Sequence, residues 1–138
     1  MYPAEIVLPM KAELTTQGFT ELTTAEQVEE QLAKDGTTLV VLNSVCGCSA
    51  GTARPGVLHS IVDSSITPNY LTTTFAGFDV AAVQQVRKHL MPYTPSSPAI
   101  ALFKNGTLVH YIERHMIEGR SAHMIAENLK AAYAEHCN

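Results

Sequence analysis

The segment LVVLNSVCGCSAGTARPGVLHSIVD, residues 39–63, decides the fold because two kinds of element meet in it. Residues 39–42 form an uninterrupted aliphatic run, which is typical of a central strand that is buried on both faces. From 49 to 63 apolar residues recur at helical spacing, and Pro55 is expected to bend that helix. The motif Cys46-Gly47-Cys48 lies at the junction. A buried strand that leads directly into a helix indicates an α/β fold.

Strand and helix signals alternate on both sides of this segment. Before it, the pattern predicts a helix over residues 3–16, a short strand at 19–22 and a helix from a Thr23–Glu26 capping box to about Lys34. After it, the pattern predicts a strand over 70–75, a helix capped by Asp79, strands over 99–103 and 108–112 joined at Asn105-Gly106, and a last helix from Ser121 to about His136. We therefore expect one domain, residues 1–138, with a central mixed sheet flanked by helices and an extra N-terminal helix.

Composition excludes several classes of function. The chain has 138 residues, enough for one domain with a buried core. Its formal net charge is −4 and its nine basic residues form no cluster, which argues against nucleic acid as a partner. The longest apolar runs fall far short of the roughly 20 residues needed to span a bilayer. Because the first residues show no cationic region before an apolar core, we expect a cytoplasmic location.

The cysteine pair predicts redox chemistry. In the cytoplasm, three cysteines that include a close pair are more typical of catalysis or metal binding than of structural disulfides. The unpaired N–H groups and the dipole of the following helix favour a thiolate at Cys46 or Cys48, and Gly47 permits the tight backbone of a one-residue spacing. A disulfide across that spacing closes a small ring, and strain would make it easily reduced. We predict a pair suited to releasing a thiol from a mixed disulfide.

Two other interpretations of the pair are possible. Cys46 and Cys48 could be small buried apolar residues, since free cysteine often behaves in that way. Two thiolates could also hold Zn²⁺ or Cu⁺ if further ligands converged on them. No second cysteine pair and no closely spaced histidine pair lies near them, so we predict no metal and no bound cofactor. Cys137, close to the end of the sequence, is expected to be incidental.

A family resemblance follows from these motifs. Residues 43–55, NSVCGCSAGTARP, resemble the signature of the bacilliredoxins, thioredoxin-superfamily proteins with a Cys-Gly-Cys site. Further motifs of that pattern occur in order along nearly the whole chain: Leu22–Glu26, Phe75–Gly77, Pro95–Pro98, Arg114-His115 with Ile117–Gly119, and His136-Cys137. The resemblance implies a thioredoxin-like fold, and the predicted order of elements agrees with it. It assigns no role to Arg114, His115 or Glu118.

The resemblance also implies a reaction, the removal of the low-molecular-weight thiol bacillithiol from protein mixed disulfides. Cys46 matches the attacking cysteine that accepts bacillithiol, and Cys48 matches the cysteine that resolves the adduct. The implied partners are S-thiolated client proteins, bacillithiol as co-substrate and a dedicated disulfide reductase.

The same resemblance suggests substrate-binding positions. Pro98 matches the superfamily's cis-proline, which would place the backbone of Ser97 next to the sulfurs, where an extended client peptide could pair with it. Gly47 and Arg54 complete the expected substrate-binding set, Arg54 facing the anionic groups of the thiol.

Two departures from the wider superfamily keep alternatives open. No tryptophan precedes the first cysteine, and the cysteines are one residue apart instead of two. These differences weaken the expectation that this protein acts as a strong reductase in the way that thioredoxin does. General disulfide exchange or isomerisation at the same site remains an alternative, as does a non-catalytic metal-binding module that uses Cys46 and Cys48.

Overall fold

Five strands form one mixed sheet in the computed structural model, which describes all residues from Met1 to Asn138. The strands are β1 (Thr20–Glu21), β2 (Thr37–Asn43), β3 (Tyr70–Phe75), β4 (Ala99–Lys104) and β5 (Thr107–Ile112). The α-helices are α1 (Ala4–Thr15), α2 (Ala25–Leu32), α3 (Arg54–Val62), α4 (Val80–His89), α5 (Arg114–Ile117) and α6 (Ala122–His136). The sheet order is β1-β3-β2-β4-β5, with β2 parallel to β3 and antiparallel to β4.

The central strand β2 divides the core into two layers. Every residue of this strand is buried, as the aliphatic run predicts. Leu39 and Val41 pack into a cluster with residues of α1, α3 and α6, whereas Val40 and Leu42 pack on the opposite face with residues of α2 and α4. The alternation follows from the two-residue period of a strand. The expected architecture, a mixed sheet with helices on both faces and an extra N-terminal helix, is confirmed.

Local signals for turns and caps are mostly confirmed. The Ser121 hydroxyl accepts a hydrogen bond from the Met124 N–H, so Ser121 caps α6 as predicted. The hairpin turns at Asn105-Gly106, where both residues have positive φ. The predicted capping box is displaced by one residue, because Thr24 caps α2 by accepting from the Gln27 N–H. Helix α2 also ends earlier than expected, at Leu32.

The predicted cap at Asp79 is wrong in its chemistry. Asp79 precedes α4, but its carboxylate does not cap that helix. It accepts a hydrogen bond from the Phe75 N–H at 3.0 Å and lies 2.9 Å from the buried Lys11 Nζ, which also contacts Glu21 at 2.7 Å. Burial lowers the pKa of Lys11, but the two carboxylates outweigh it and raise that pKa. This network fastens the extra helix α1 to the sheet.

The segment after the cysteines is irregular before it becomes an α-helix. Residues Ser49–Ala53 form one π-helical turn, and α3 then begins at Arg54. Pro55 therefore lies in the first turn of α3, directly after the π-helical turn. Gly56 allows α3 to pack closely on α6, because a Cβ there would lie 2.7 Å from the Ile125 Cβ.

None of the helices combines the length and the apolar character that crossing a membrane requires.

Candidate active site

Cys46 lies at the end of the loop that follows β2, and Cys48 lies in the short helical segment that leads into the π-helical turn. The Sγ atoms of Cys46 and Cys48 are 2.8 Å apart, within hydrogen-bond distance, and both residues are partly buried. Local hydrogen bonds hold this segment. The Ser44 hydroxyl accepts from the Cys46 N–H at 3.1 Å, and the Cys46 carbonyl accepts from the Ser49 N–H at 2.9 Å. The predicted junction of strand and helix is therefore confirmed, with a π-helical turn close to the start of the helix.

Arg114, at the start of α5, contacts the first cysteine from a distant part of the chain. Its Nη2 donates to the Cys46 Sγ at 3.2 Å, and its Nη1 donates to the Ser97 carbonyl at 3.1 Å. Its Nε pairs with the Glu118 carboxylate one helical turn further on. The Glu118 and Cys46 contacts raise the pKa of the Arg114 guanidinium, which is therefore a permanent cation beside the sulfur. Sequence reasoning assigned no role to Arg114, although it lies in one of the motifs that carry the family resemblance.

The surroundings make the two thiols unequal. Hydrogen bonds from the Cys48 thiol and N–H lower the pKa of Cys46, helped by the Arg114 charge and the Ser49 N–H and opposed by burial. Burial raises the pKa of Cys48, and the neighbouring Cys46 raises it further. Because the thiolate is the nucleophile, Cys46 is the better attacking group of the pair. This order of the cysteines agrees with the assignment that the resemblance implies.

The backbone before β4 completes the wall next to the sulfurs. The Ser97–Pro98 peptide bond is cis, as the resemblance implies, and Pro98 is buried. The Met91–Pro92 bond is also cis, which nothing in the sequence indicated. The Arg114 guanidinium donates to both the Ser97 carbonyl and the Cys46 sulfur, and so links this backbone to the first cysteine.

Comparison with known proteins places the chain among relatives over almost its whole length. Residues 2–137 match the family model described as "Disulphide isomerase". A protein of Cytophaga hutchinsonii named "Bacilliredoxin" is 60% identical over 135 residues, which cover 98% of this chain and 99% of that protein. This chain belongs to the bacilliredoxin family. A bacilliredoxin of Shouchella clausii is 50% identical over 137 residues, covering 99% of this chain and 94% of the relative.

Solved structures support the fold of this bacilliredoxin. The thioredoxin of Malassezia sympodialis superposes with a TM-score of 0.58 at 13% identity and covers 88% of this chain and 92% of its own. The mitochondrial thioredoxin 3 of Saccharomyces cerevisiae superposes with a TM-score of 0.57 at 12% identity and covers 86% of this chain and 96% of its own. At such identities the likeness concerns the fold, which is thioredoxin-like. Together with the family membership and the cysteine pair, it identifies the protein as a thiol–disulfide oxidoreductase.

Arg54 does not occupy the position that the bacilliredoxin resemblance suggested. Its side chain is only 2% exposed and lies beneath the cysteine loop instead of facing a substrate. Its Nη1 donates to the Asn43 Oδ1 at 2.8 Å, the Ser44 carbonyl at 2.9 Å and the Ser49 hydroxyl at 3.0 Å. Its Nε pairs with Glu13 of α1 at 3.0 Å. The expectation that Arg54 contacts the thiol is therefore replaced by a structural role in holding the loop.

Gly47 also differs from its expected role. It is exposed, its φ lies outside the left-handed region, and a Cβ at this position would meet no atom within 4 Å. The one-residue spacing thus does not require the conformational freedom of glycine. Without a side chain, Gly47 leaves the surface between the two cysteines uncovered.

The remaining candidate groups lie away from this constellation. Cys137 is partly buried against the core, and burial raises the pKa of its thiol, so it is a poor nucleophile. No three or more His, Cys, Asp and Glu side chains are grouped closely enough to hold a metal ion. The metal-binding interpretation of Cys46 and Cys48 therefore has no third protein ligand.

Proposed function

We propose that this bacilliredoxin removes bacillithiol from protein mixed disulfides, with Cys46 attacking and Cys48 resolving. One observation supports this order above all: the Arg114 guanidinium lies 3.2 Å from the Cys46 sulfur, in a setting that lowers the pKa of Cys46 and raises that of Cys48. When one of two adjacent thiols ionises more readily than the other, the protein has a defined first nucleophile. The family membership supports the choice of thiol.

The first step is an exchange of partners between sulfurs. The Cys46 thiolate attacks the bacillithiol sulfur of the mixed disulfide, an S–S bond forms between Cys46 and bacillithiol, and the client leaves as a thiolate. Arg114 stabilises the attacking thiolate before the reaction. No net oxidation occurs, because one disulfide is broken for each one formed.

The second step frees the small thiol. Cys48 loses its proton and attacks the Cys46 Sγ, which is 2.8 Å away before the reaction, and bacillithiol leaves as a thiolate. The product is a Cys46–Cys48 disulfide. A disulfide reductase then supplies two electrons and reduces this disulfide to the two thiols. We place this cycle in the cytoplasm, the compartment whose reducing poise supports a dithiol resting state.

Client recognition is assigned to the backbone before β4. The Ser97 N–H makes no hydrogen bond within the protein, while its carbonyl is held by Arg114. An extended client segment next to its disulfide could accept from that N–H, in the manner of an added strand. The exposed Gly47 leaves room for the mixed disulfide to approach Cys46.

The decisive experiment isolates the first step. Cys48→Ala protein is mixed with a bacillithiolated client, and both products are weighed by mass spectrometry. We expect a bacillithiol adduct on Cys46 and a stoichiometric release of the client thiol. Cys137→Ala in the same background should behave identically, and Cys46→Ala should form no adduct. Failure of transfer, or an adduct located on Cys137, would contradict the proposal.

General disulfide isomerisation is the second candidate, because the matching family model carries the description "Disulphide isomerase". An isomerase would restore activity to a protein with scrambled disulfides, and its rate there would rival its rate with a bacillithiolated client. We expect the scrambled substrate to be the slower one by at least about tenfold. The metal-binding alternative would require stoichiometric Zn or Cu in protein purified under reducing conditions, which elemental analysis measures.

A further inference from the structure

A cavity of about 390 Å³ opens beside the attacking sulfur, and its lining has an unusual charge. Its lining includes Cys46, Ser97 and Arg114, and Arg87 of α4 is a second arginine among the lining residues. None of its nine lining residues is Asp or Glu, although the whole chain has 13 acidic residues and a net charge of −4. A cationic concavity on an acidic protein raises the local concentration of anions.

The two arginines of the cavity differ in their existing partners. Arg114 uses its three nitrogens for Glu118, Ser97 and Cys46. The Arg87 side chain makes no hydrogen bond, its Nε is buried without a partner, and none of the ion pairs in the protein includes it. The two Nη atoms of Arg87 are not buried and have no partner in the protein, so both can donate to a ligand in the cavity.

The size of the cavity restricts that ligand to a small molecule or a short tail. Its volume lies at the lower end of the range for small-molecule sites, roughly 300–1,000 Å³. Arginine recognises carboxylates with two parallel hydrogen bonds, a geometry that neutral groups cannot match. The ligand must also reach the Cys46 sulfur, which lines the same cavity.

We propose that Arg87 is the specificity-determining residue for the small thiol, binding a carboxylate of that thiol while its sulfur becomes joined to Cys46. The inference rests on the proposed function and adds a chemical rule to it: thiols that carry carboxylates are transferred to Cys46 faster than neutral thiols of similar size. Arg114 prepares the nucleophile, and Arg87 holds the incoming group.

The test uses two small symmetric disulfides and needs no client protein. In Cys48→Ala protein, the Cys46 thiolate attacks either the disulfide of mercaptosuccinate, which carries two carboxylates on each thiol, or the disulfide of mercaptoethanol, which carries none. Each attack forms one S–S bond to Cys46, breaks one and releases one thiolate, so the reactions balance without another reagent. Mass spectrometry follows the rate of each adduct. The ratio of the two rates removes any effect of a variant on the Cys46 thiolate itself.

Two variants of neighbouring residues provide the matched comparison. Arg87→Gln removes one of the two arginine charges of the cavity, and Lys88→Gln removes a positive charge from the adjacent, exposed position on α4. We expect Arg87→Gln to lower the ratio of mercaptosuccinate to mercaptoethanol rates by about tenfold, equivalent to about 1.4 kcal/mol. Lys88→Gln should leave the ratio within about twofold of the wild-type ratio. Arg87→Lys should give an intermediate ratio, because it keeps the charge but loses the paired N–H donors of the guanidinium.

Each outcome bears on one proposal separately. A wild-type ratio near one, or an equal fall of the ratio in Arg87→Gln and Lys88→Gln, would overturn the assignment of Arg87, even if bacillithiol is still removed from clients. A strong preference for mercaptosuccinate that Arg87→Gln abolishes would support the assignment. It would do so even if the client assay fails and the proposed function with it.

Discussion

Two arginines contact the segment that carries the cysteines, and one has a structural role whereas the other has a chemical one. The Arg54 side chain is 2% exposed, whereas the Arg114 side chain is 43% exposed. Each has one carboxylate partner that is about half exposed, Glu13 at 47% and Glu118 at 52%. The buried arginine satisfies the backbone and side chains that shape the loop, while the exposed one reaches the reacting sulfur.

The difference follows from what surrounds each guanidinium. Asn43, Ser44 and Ser49 present only oxygen acceptors to Arg54, so its donors are used within the protein. Arg114 instead shares its donors between the Ser97 carbonyl and the Cys46 sulfur, the atom whose charge changes in the reaction. Removing Arg54 should therefore disturb stability first, and removing Arg114 should disturb reactivity first.

The largest effect is expected for Arg54→Met. Because Arg54 is a buried cation whose partners would be left unsatisfied, we expect the free energy of unfolding to fall by about 3–5 kcal/mol. Urea denaturation measures this change. Arg120→Met, which removes an exposed arginine, should change the free energy by less than about 0.5 kcal/mol. Equal effects of the two substitutions would show that Arg54 does not support the loop.

The next effect is on the pH dependence of attack in Arg114→Gln. Loss of the cation raises the pKa of Cys46, so less thiolate exists at pH 6.5 and attack slows by about threefold to fivefold for each pKa unit. The effect is smaller than tenfold because a more basic thiolate is a stronger nucleophile. Above the pKa of the variant, its rate should equal or exceed that of the wild type. Alkylation of the Cys48→Ala background with iodoacetamide between pH 5 and pH 10 measures the rate of attack both below and above the pKa of Cys46.

A control keeps this comparison specific. Arg54→Lys retains the buried charge and should leave the midpoint of the alkylation profile unchanged in the folded protein. A shift of that midpoint as large as the one in Arg114→Gln would contradict the division of roles between the two arginines.

A smaller effect is expected where the carboxylate partner of the buried arginine is neutralised. Glu13→Gln keeps a hydrogen-bond acceptor for the Arg54 Nε and removes a charge that is about half exposed. We expect a loss of less than about 1 kcal/mol in the free energy of unfolding. Thermal unfolding of Glu13→Gln beside Glu5→Gln, an exposed glutamate of the same helix, measures it. A loss as large as that of Arg54→Met would mean that the ion pair, and not the loop contacts, dominates.

The smallest effect is expected for Glu118→Gln. The Glu118 carboxylate contributes to the raised pKa of Cys48 only after burial and Cys46, and it also pairs with Arg114. Neutralising it should lower the pKa of Cys48 slightly and speed the resolving step by less than about threefold. The rate of bacillithiol release from a preformed Cys46 adduct measures that step. A slower release would show that Glu118 supports Cys48 instead of opposing its ionisation.

Sequence patterns predicted the features whose causes are local. The aliphatic run of β2, the Asn105-Gly106 turn and the Ser121 cap depend on residues within a few positions of one another, and all three are confirmed. The capping box was displaced by one residue because Thr23 and Thr24 offer the same hydroxyl and Glu26 and Gln27 offer similar acceptors. Propensity cannot distinguish two such adjacent choices.

Those patterns cannot predict where a side chain points when its partner is far away in the sequence. Asp79 was predicted as a cap, but Lys11, 68 positions earlier in the chain, draws its carboxylate into the network that holds α1. The same separation of 68 residues lies between Arg114 and Cys46. Arg54 is close to the cysteines in sequence, yet the π-helical turn directs it beneath the loop.

The sequence by itself determined that a reactive cysteine pair stands between a buried strand and a helix in an α/β domain. Hydrophobic periodicity and the position of Cys46-Gly47-Cys48 suffice for that. Only the tertiary structure supplied the physical cause that makes the two thiols unequal, because the contact between the two sulfurs, the Arg114 charge and the burial of Cys48 exist only in the folded chain. Electrostatic fields and desolvation depend on distance in space, and that distance exists only after the chain has folded.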